Sequence, residues 1–155
     1  MLKKITELLQ KKEFISVATS DLSGRPNAAP KFLLKVENNL IFLIDYTQGK
    51  TWENLKKNPR VSLSFMDTES LTGYQINGGV KIIDKGPAYN KIFKELLQKE
   101  IDLSCRRIIE GVVHEKGHKS FEVAIPDKVV IFKIEIEEIA EIDHRGEIRK
   151  ENYKS

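Results

Sequence analysis

Lys50 and Thr51 follow Gly49 and lead into Trp52-Glu53-Asn54-Leu55-Lys56-Lys57-Asn58-Pro59. Upstream, an apolar run from Leu40 to Ile44 ends at Asp45. Proline cannot continue a helical hydrogen-bond ladder and pushes the residue before it out of the helical region. The order is therefore strand, short polar loop, short helix, and the loop delivers a cation and a hydroxyl to the first helical turn. A helix start exposes unpaired N–H groups and the positive end of the peptide dipole. A lysine there is unfavourable unless an anion sits in front of it, and the three kinds of donor together make a phosphate cradle. The plainer reading is a solvated lysine on an ordinary loop, and the stretch by itself favours that.

A second constellation is His114-Glu115-Lys116-Gly117-His118, which satisfies H-E-x-x-H. On a continuous helix the two imidazoles share a face and could ligate zinc, with Glu115 acting on the bound water, as in a zinc hydrolase. A third ligand would come from Glu135, Glu137 or Glu138. Gly117, however, disfavours a helix interior by ~1 kcal/mol relative to Ala, and with Lys119-Ser120 behind it reads as a C-terminal cap. Solvated histidines at a helix end, favoured by the dipole, are the expectation, and no metal is expected. His144 beside Arg145-Gly146 lies in a turn without a nameable partner.

The elements that must position these residues follow from periodicity. Leu2, Ile5, Leu8 and Leu9 recur at helical spacing, which predicts an amphipathic helix over Leu2 to Lys12. Strands are predicted at Phe14 to Ser20, Asn27 to Val36 and Leu40 to Ile44. They are separated by the turn cluster Asp21 to Pro26 and by Glu37-Asn38-Asn39. Such short connections make an antiparallel meander, not βαβ units. After the Lys50–Lys57 helix, Val61, Leu63 and Phe65 alternate with polar residues in a half-buried strand. Asp67 to Gly73 reads as a loop, and Tyr74 to Ile83 as a strand in which Gly78-Gly79 marks a bulge or a close backbone approach. Gly86-Pro87 starts a helix with proline at its first position, and a second helical segment is predicted from about Asp102 to Glu115. Phe121 to Ile125 and Val129 to Ile136 close the sheet, and the charged tail, residues 143–155, reads as loosely held. The fold class is mainly β (α+β): a six- to seven-stranded antiparallel split β-barrel with peripheral helices.

With 155 residues, 40% hydrophobic and 32% charged, the chain suits one compact domain and not a disordered one. Its net charge of +3 is small and its basic residues are scattered, which argues against nucleic acid as a partner. Cys105 is the only cysteine, so no internal disulfide forms and a reducing compartment is expected. Although Arg106 and Arg107 follow it and could lower its pKa, packing is the better account of Cys105 than nucleophilicity. No apolar run approaches the ~20 residues of a membrane helix, and no signal-peptide pattern is seen. A soluble cytoplasmic protein is the expectation.

The order of these pieces resembles the FMN-binding split β-barrel family whose namesake is pyridoxamine 5′-phosphate oxidase. The resemblance is carried by Ser16-Val17-Ala18-Thr19, Gly24-Arg25-Pro26, Ala29-Pro30-Lys31-Phe32, Leu40-Ile41-Phe42, Gly49-Lys50-Thr51 and Asn54 through Leu63. It spans roughly residues 5 to 83 and the last strand. It implies that Lys50 and Thr51 hold the flavin phosphate, where the namesake carries an Arg-Lys pair. It implies also that Lys31, Phe32 and Leu33, extending to Lys35, lie along the flavin ring. Ile44 and Asp45 would form a strand end against the cofactor, and Gln75 would contact the flavin. The namesake's substrate-binding Arg and Tyr pattern and C-terminal Trp and Arg are not found here. The implied activity is therefore FMN-dependent hydride transfer to another small-molecule substrate, with a reduced nicotinamide or deazaflavin as possible donor. No catalytic side chain is assigned, because the isoalloxazine carries the electrons. Trp52, Tyr46 and Phe32 could pack near the ring, although helix-to-barrel packing is the better account of Trp52. A homodimer with sites at the interface is implied too. The alternative within the same fold is a flavin or haem carrier without turnover.

Overall fold

The computed structural model describes residues 1–113 and 126–153. The H-E-x-x-H motif and the strand expected at 121–125 lie outside them. The elements are α1 (Leu2–Leu9), β1 (Phe14–Ser20), β2 (Pro26–Glu37), β3 (Leu40–Asp45), α2 (Lys50–Lys57), β4 (Arg60–Asp67), β5 (Thr72–Ile83), α3 (Pro87–Val113), β6 (Val130–Ile142) and β7 (Ile148–Asn152). Two compact units result: residues 1–83 with 129–155, and residues 84–128. The second unit carries α3, one helix of 27 residues where two segments were expected. Asp102, read as a helix start, is instead an interior position. Gln98, one turn earlier, donates a hydrogen bond to its carboxylate at 3.0 Å, and neither proline nor glycine interrupts residues 88–110. Among the described residues no helix is long and apolar enough to cross a membrane.

The first unit is a closed antiparallel barrel. Its sheet runs β3-β2-β1-β4-β5-β6-β7, and a further pairing of β3 with β6 closes six strands into a ring. Strand β6 divides its free edge between two partners. Residues 130–135 pair with β3, and residues 138–142 pair with β7. The tail beyond Asp143, expected to be loose, thus adds a fully exposed seventh strand. An unpaired row of N–H and C=O groups on β6 beyond the end of β3 explains why a charged segment docks there.

Alternation sets the inside and the outside. Ile15, Val17, Leu33, Ile41, Leu43, Val61, Leu63, Ile76, Phe132, Ile134 and Ile136 point inward and form one buried cluster. Two helices close off that cluster. Ile5 and Leu9 of α1 are fully buried in it, and Leu55 of α2 joins it as well. Helix α2 buries Thr51, Asn54 and Leu55, which share one face at i, i+3 and i+4. Lys50, at the helix start, is exposed. Trp52 packs partly buried against the core, as expected, with the Lys56 ammonium 3.8 Å from its ring centre.

The expected irregularity at Gly78 is both a bulge and a close approach. The β5–β6 register shifts between Asn77 and Gly78, and a Cβ at Gly78 would lie 2.3 Å from the Glu135 carbonyl oxygen. Backbone, not a flexible side chain, would have to move. Gly78→Ala is therefore expected to destabilise the fold by about 1–3 kcal/mol, read as a lower urea midpoint with an unchanged slope.

Helix α1 is fastened by Lys4, whose ammonium lies 2.9 Å from the Glu141 carboxylate. The Lys4 hydrogen bond holds the Glu141 carboxyl below its ordinary value near 4.5. Because the folded value is the lower one, this stability is present above about 4.5 and fades as pH falls through the folded value. The lysine is half exposed, so the contribution is below ~1 kcal/mol. Glu141→Gln is expected to flatten the pH dependence of the unfolding midpoint in that acid window and to leave neutral stability nearly unchanged.

Candidate functional site

The loop between β3 and α2 is shaped by Asp45. Its Oδ1 accepts hydrogen bonds from the Thr47 amide at 3.0 Å and the Thr47 hydroxyl at 3.1 Å, so the chain turns as soon as the strand ends. Its Oδ2 lies 2.8 Å from the Lys31 ammonium, and both side chains are nearly buried, at 3% and 10% exposure. Lys31 and Leu33 share a strand face, as do Asp45 and Leu43, and both leucines point into the barrel. The ion pair therefore sits at the inner wall near the α2 end of the ring. The two residues expected on the flavin hold each other.

Beneath α2 lies a polar network that periodicity did not reveal. Asn54 Nδ2 donates to Thr19 Oγ1 at 3.1 Å, and Asn27 Nδ2 donates to Thr51 Oγ1 at 3.2 Å. Thr19, Thr51 and Asn54 are all buried. The signal was available, since Thr19 and Asn27 face each other across the β1–β2 hairpin and Asn54 follows Thr51 by one turn. At the far end of the helix, Asn58 Nδ2 donates to both the carbonyl and the hydroxyl of Ser20 at 3.2 Å. Side-chain bonds thus fasten α2 to β1 and β2 along its length.

At its start α2 has Gly49 as N-cap, and no side chain caps it. Lys50 is half exposed, 3.3 Å from Glu53. An exposed pair of this kind contributes ~0–1 kcal/mol and yields readily to a stronger anion. The β1–β2 turn lies close by. Asp21 there accepts from the Ser23 hydroxyl and the Ser23 and Arg25 amides. Its carboxyl is held below its ordinary value chiefly by the Ser23 bond, with the Lys50 charge contributing. Thr51, by contrast, is 1% exposed, and its hydroxyl serves the network under the helix.

The remaining expected residues divide into two groups. Phe32 and Ile44 are cross-strand partners with buried side chains, and the Phe32 ring meets Phe14 at 5.8 Å and Tyr46 at 6.2 Å. Leu33 belongs to the barrel interior. In this stretch β2 is no edge, because it pairs with β1 on one side and β3 on the other. Gln75 lies elsewhere, exposed on β5, where it donates to Ser62 Oγ at 3.1 Å. In register it is separated from Pro30 of β2 by Ser16 of β1 and Ser64 of β4, roughly 14 Å at the usual strand spacing.

The same outer wall holds a cleft of about 460 Å³ lined by Thr19, Ser20, Asn58, Arg60, Asn77 and Glu137 among others. Arg60 Nη1 donates to both oxygens of Glu137 at 2.8 Å. Asn77 donates to Glu138 at 2.9 Å, and Lys150 lies 3.6 Å from that carboxylate. Two of the carboxylates considered as a third zinc ligand are thus engaged with cations or an amide. Among the described residues no group of three or more His, Cys, Asp or Glu is placed to hold a metal.

Removing one member of the buried pair leaves the other charge desolvated. Lys31→Met is expected to cost about 3–5 kcal/mol, while Lys31→Met combined with Asp45→Asn, which removes the unpaired charge and keeps the acceptor for Thr47, recovers part of it; chemical denaturation of the three proteins measures both.

Residues 1–143 match the family profile described as Pyridoxamine 5'-phosphate oxidase. An uncharacterized protein of Methanocaldococcus jannaschii is 30% identical over 99 residues, which make up 60% of this chain and 65% of that relative. The match thus spans just under two thirds of the relative's length. Among solved structures, one similar chain is the Clostridium acetobutylicum protein related to general stress protein 26 of B. subtilis. Its TM-score is 0.71 at 19% identity, covering 98% of this chain and 94% of that one. A pyridoxamine 5'-phosphate oxidase-related, FMN binding protein of Nostoc punctiforme has a TM-score of 0.61 at 12% identity, covering 99% and 95%. The heme storage protein of Vibrio cholerae has a TM-score of 0.60 at 16% identity, covering 87% and 89%. At these identities the likeness is one of fold.

Proposed function

The chain belongs to the pyridoxamine 5′-phosphate oxidase family, and from that premise we propose that it binds FMN and serves as a flavin-dependent oxidoreductase for a small molecule. The observation that carries this reading is the start of α2, where an exposed lysine stands at a helix terminus that no side chain caps. The residues present fit a phosphate. The Lys50 ammonium supplies charge, and the first-turn amides supply directed donors in a dipole field that favours an anion. Thr51 contributes through the network that seats the helix. Lys31 and Asp45 contribute by fixing the turn that leads to it. Because Phe32 and Ile44 are buried, the ring would lie along the exposed outer positions of β2, Ala28 and Pro30, and beside Tyr46 past the end of β3.

Bound flavin itself supplies the hydride acceptance and return, so the protein's part is to bind and orient. Gln75 lies three strands across the outer wall from β2. A homodimer, as the family resemblance implies, would bring a second copy against that wall. A reduced nicotinamide or deazaflavin fits the role of electron donor.

A carrier of the same fold is the second reading, favoured by the likeness to the Vibrio cholerae heme storage protein. The visible spectrum of the purified protein separates the two, since bound FMN makes it yellow and haem gives a Soret band. Lys50→Ala is expected to weaken FMN binding by about 1.5–3 kcal/mol, measured by flavin fluorescence titration, with Lys50→Arg retaining most of the affinity. Unchanged affinity in the alanine variant would remove the phosphate assignment. Oxidation of NADH or NADPH by the yellow protein, absent in a carrier, tests turnover.

A further inference from the structure

On the outer wall, Lys81 of β5 stands directly opposite Lys133 of β6, and Lys133 stands opposite Phe42 of β3. Residues directly opposed on neighbouring antiparallel strands have Cβ atoms about 4.5–5.5 Å apart, and like charges in that relation are destabilising. A carboxylate in the adjacent row could offset such a pair. Here Glu135 lies two residues along β6, yet among the described residues neither Lys81 nor Lys133 forms an ion pair. The nearest guanidinium, Arg60, is already matched by both oxygens of Glu137.

The two lysines border a recess of about 590 Å³, also lined by Leu40, Pro59, Gly79 and Glu135. That size is typical of a small-molecule site. Gly79 keeps the recess open, because a side chain there would rise from the floor, with its Cβ 3.4 Å from Glu137 Oε1. Two ammonium groups face one carboxylate, so the recess is net positive, and Leu40 and Pro59 give it an apolar flank.

We propose that this recess binds a small organic dianion, with its doubly charged head between Lys81 and Lys133 and its apolar body against Leu40 and Pro59. A dianion relieves the repulsion of both lysines at once, whereas a monoanion answers only one. Phosphomonoesters and dicarboxylates share this chemistry. The inference rests on β5 and β6 and not on the flavin reading, so either can fail alone.

The test is calorimetric titration of the full chain with phenyl phosphate and, separately, with phthalate, at matched ionic strength. At least one of them is expected to bind saturably at one site. Lys81→Met and Lys133→Met are each expected to weaken it tenfold or more, and Lys50→Ala to change it less than twofold. Lys81→Glu turns repulsion into attraction across the strands. It is expected to raise the thermal midpoint in anion-free buffer and to abolish both binding and the stabilisation by added dianion. Failure of both probes to bind the wild-type chain would overturn the proposal. So would undiminished binding by the Lys81→Met/Lys133→Met double variant, or loss of binding in Lys50→Ala, which would move the anion to α2.

Discussion

The backbone pairing of β3 with β6 is the constraint from which the rest follows. A six-stranded sheet with two free edges would expose both to other chains, and closure removes them. Closure also makes a ring too narrow for anything but side chains, so inward positions must be apolar and of fitting volume. A ring has open ends, however, and each end is water's way into the core. Ile5 and Leu9 of α1 and Leu55 of α2 are buried in that core for this reason. Once α2 is needed as a plug, its orientation is fixed by the face it buries. Thr51, Asn54 and Leu55 face the barrel, and Lys50 is left facing solvent at the helix start. The feature proposed to meet a phosphate is thus a by-product of closing the barrel.

The buried pair of Lys31 and Asp45 belongs to the same logic. Strand β3 ends at Asp45, where the backbone must turn toward α2, and a carboxylate that accepts two bonds from Thr47 makes that turn. Its other oxygen then faces the barrel interior, where a lone charge would be costly, and Lys31 on the neighbouring strand neutralises it. The two residues that the resemblance placed on the cofactor thus form one unit that fixes the loop leading to the helix.

Much of this was legible in the residue order. The Lys50–Lys57 helix and the Phe14–Ser20 strand have the predicted bounds, the strand predicted from Asn27 to Val36 gains a residue at each end, that from Leu40 to Ile44 gains Asp45, and Gly78 behaves as expected. These are local signals of alternation, proline stops and glycine. The errors lie where local signals carry no information. Asp102 reads equally well as a helix start and as a helix interior, because the choice depends on whether α3 continues, not on the residue. The tail beyond Asp143 is charged and reads as loose, yet β6 offers it an open edge, and edge pairing is indifferent to side-chain polarity. At the site, the resemblance named Lys31 and Asp45 but could not show that they face each other, since inward and outward differ by a single step in strand phase.

The barrel interior, filled by its own side chains, has no room for a cofactor, so any ligand must lie on the outer wall or at a rim. This is consistent with a fold likeness that reaches both an FMN binding protein and a heme storage protein, each below 20% identical to this chain. The inward residues that make the fold recognisable are not those that choose a ligand. On the outer wall, unlike the interior, no packing rule dictates the residue at each position, and a persistent oddity there is informative. At the start of α2, Glu53 and Asp21 already answer part of the Lys50 charge, whereas no ion pair among the described residues answers Lys81 and Lys133, which stand opposed across adjacent strands. The two proposed anion sites lie on different elements and depend on different residues, so each stands or falls by its own observation.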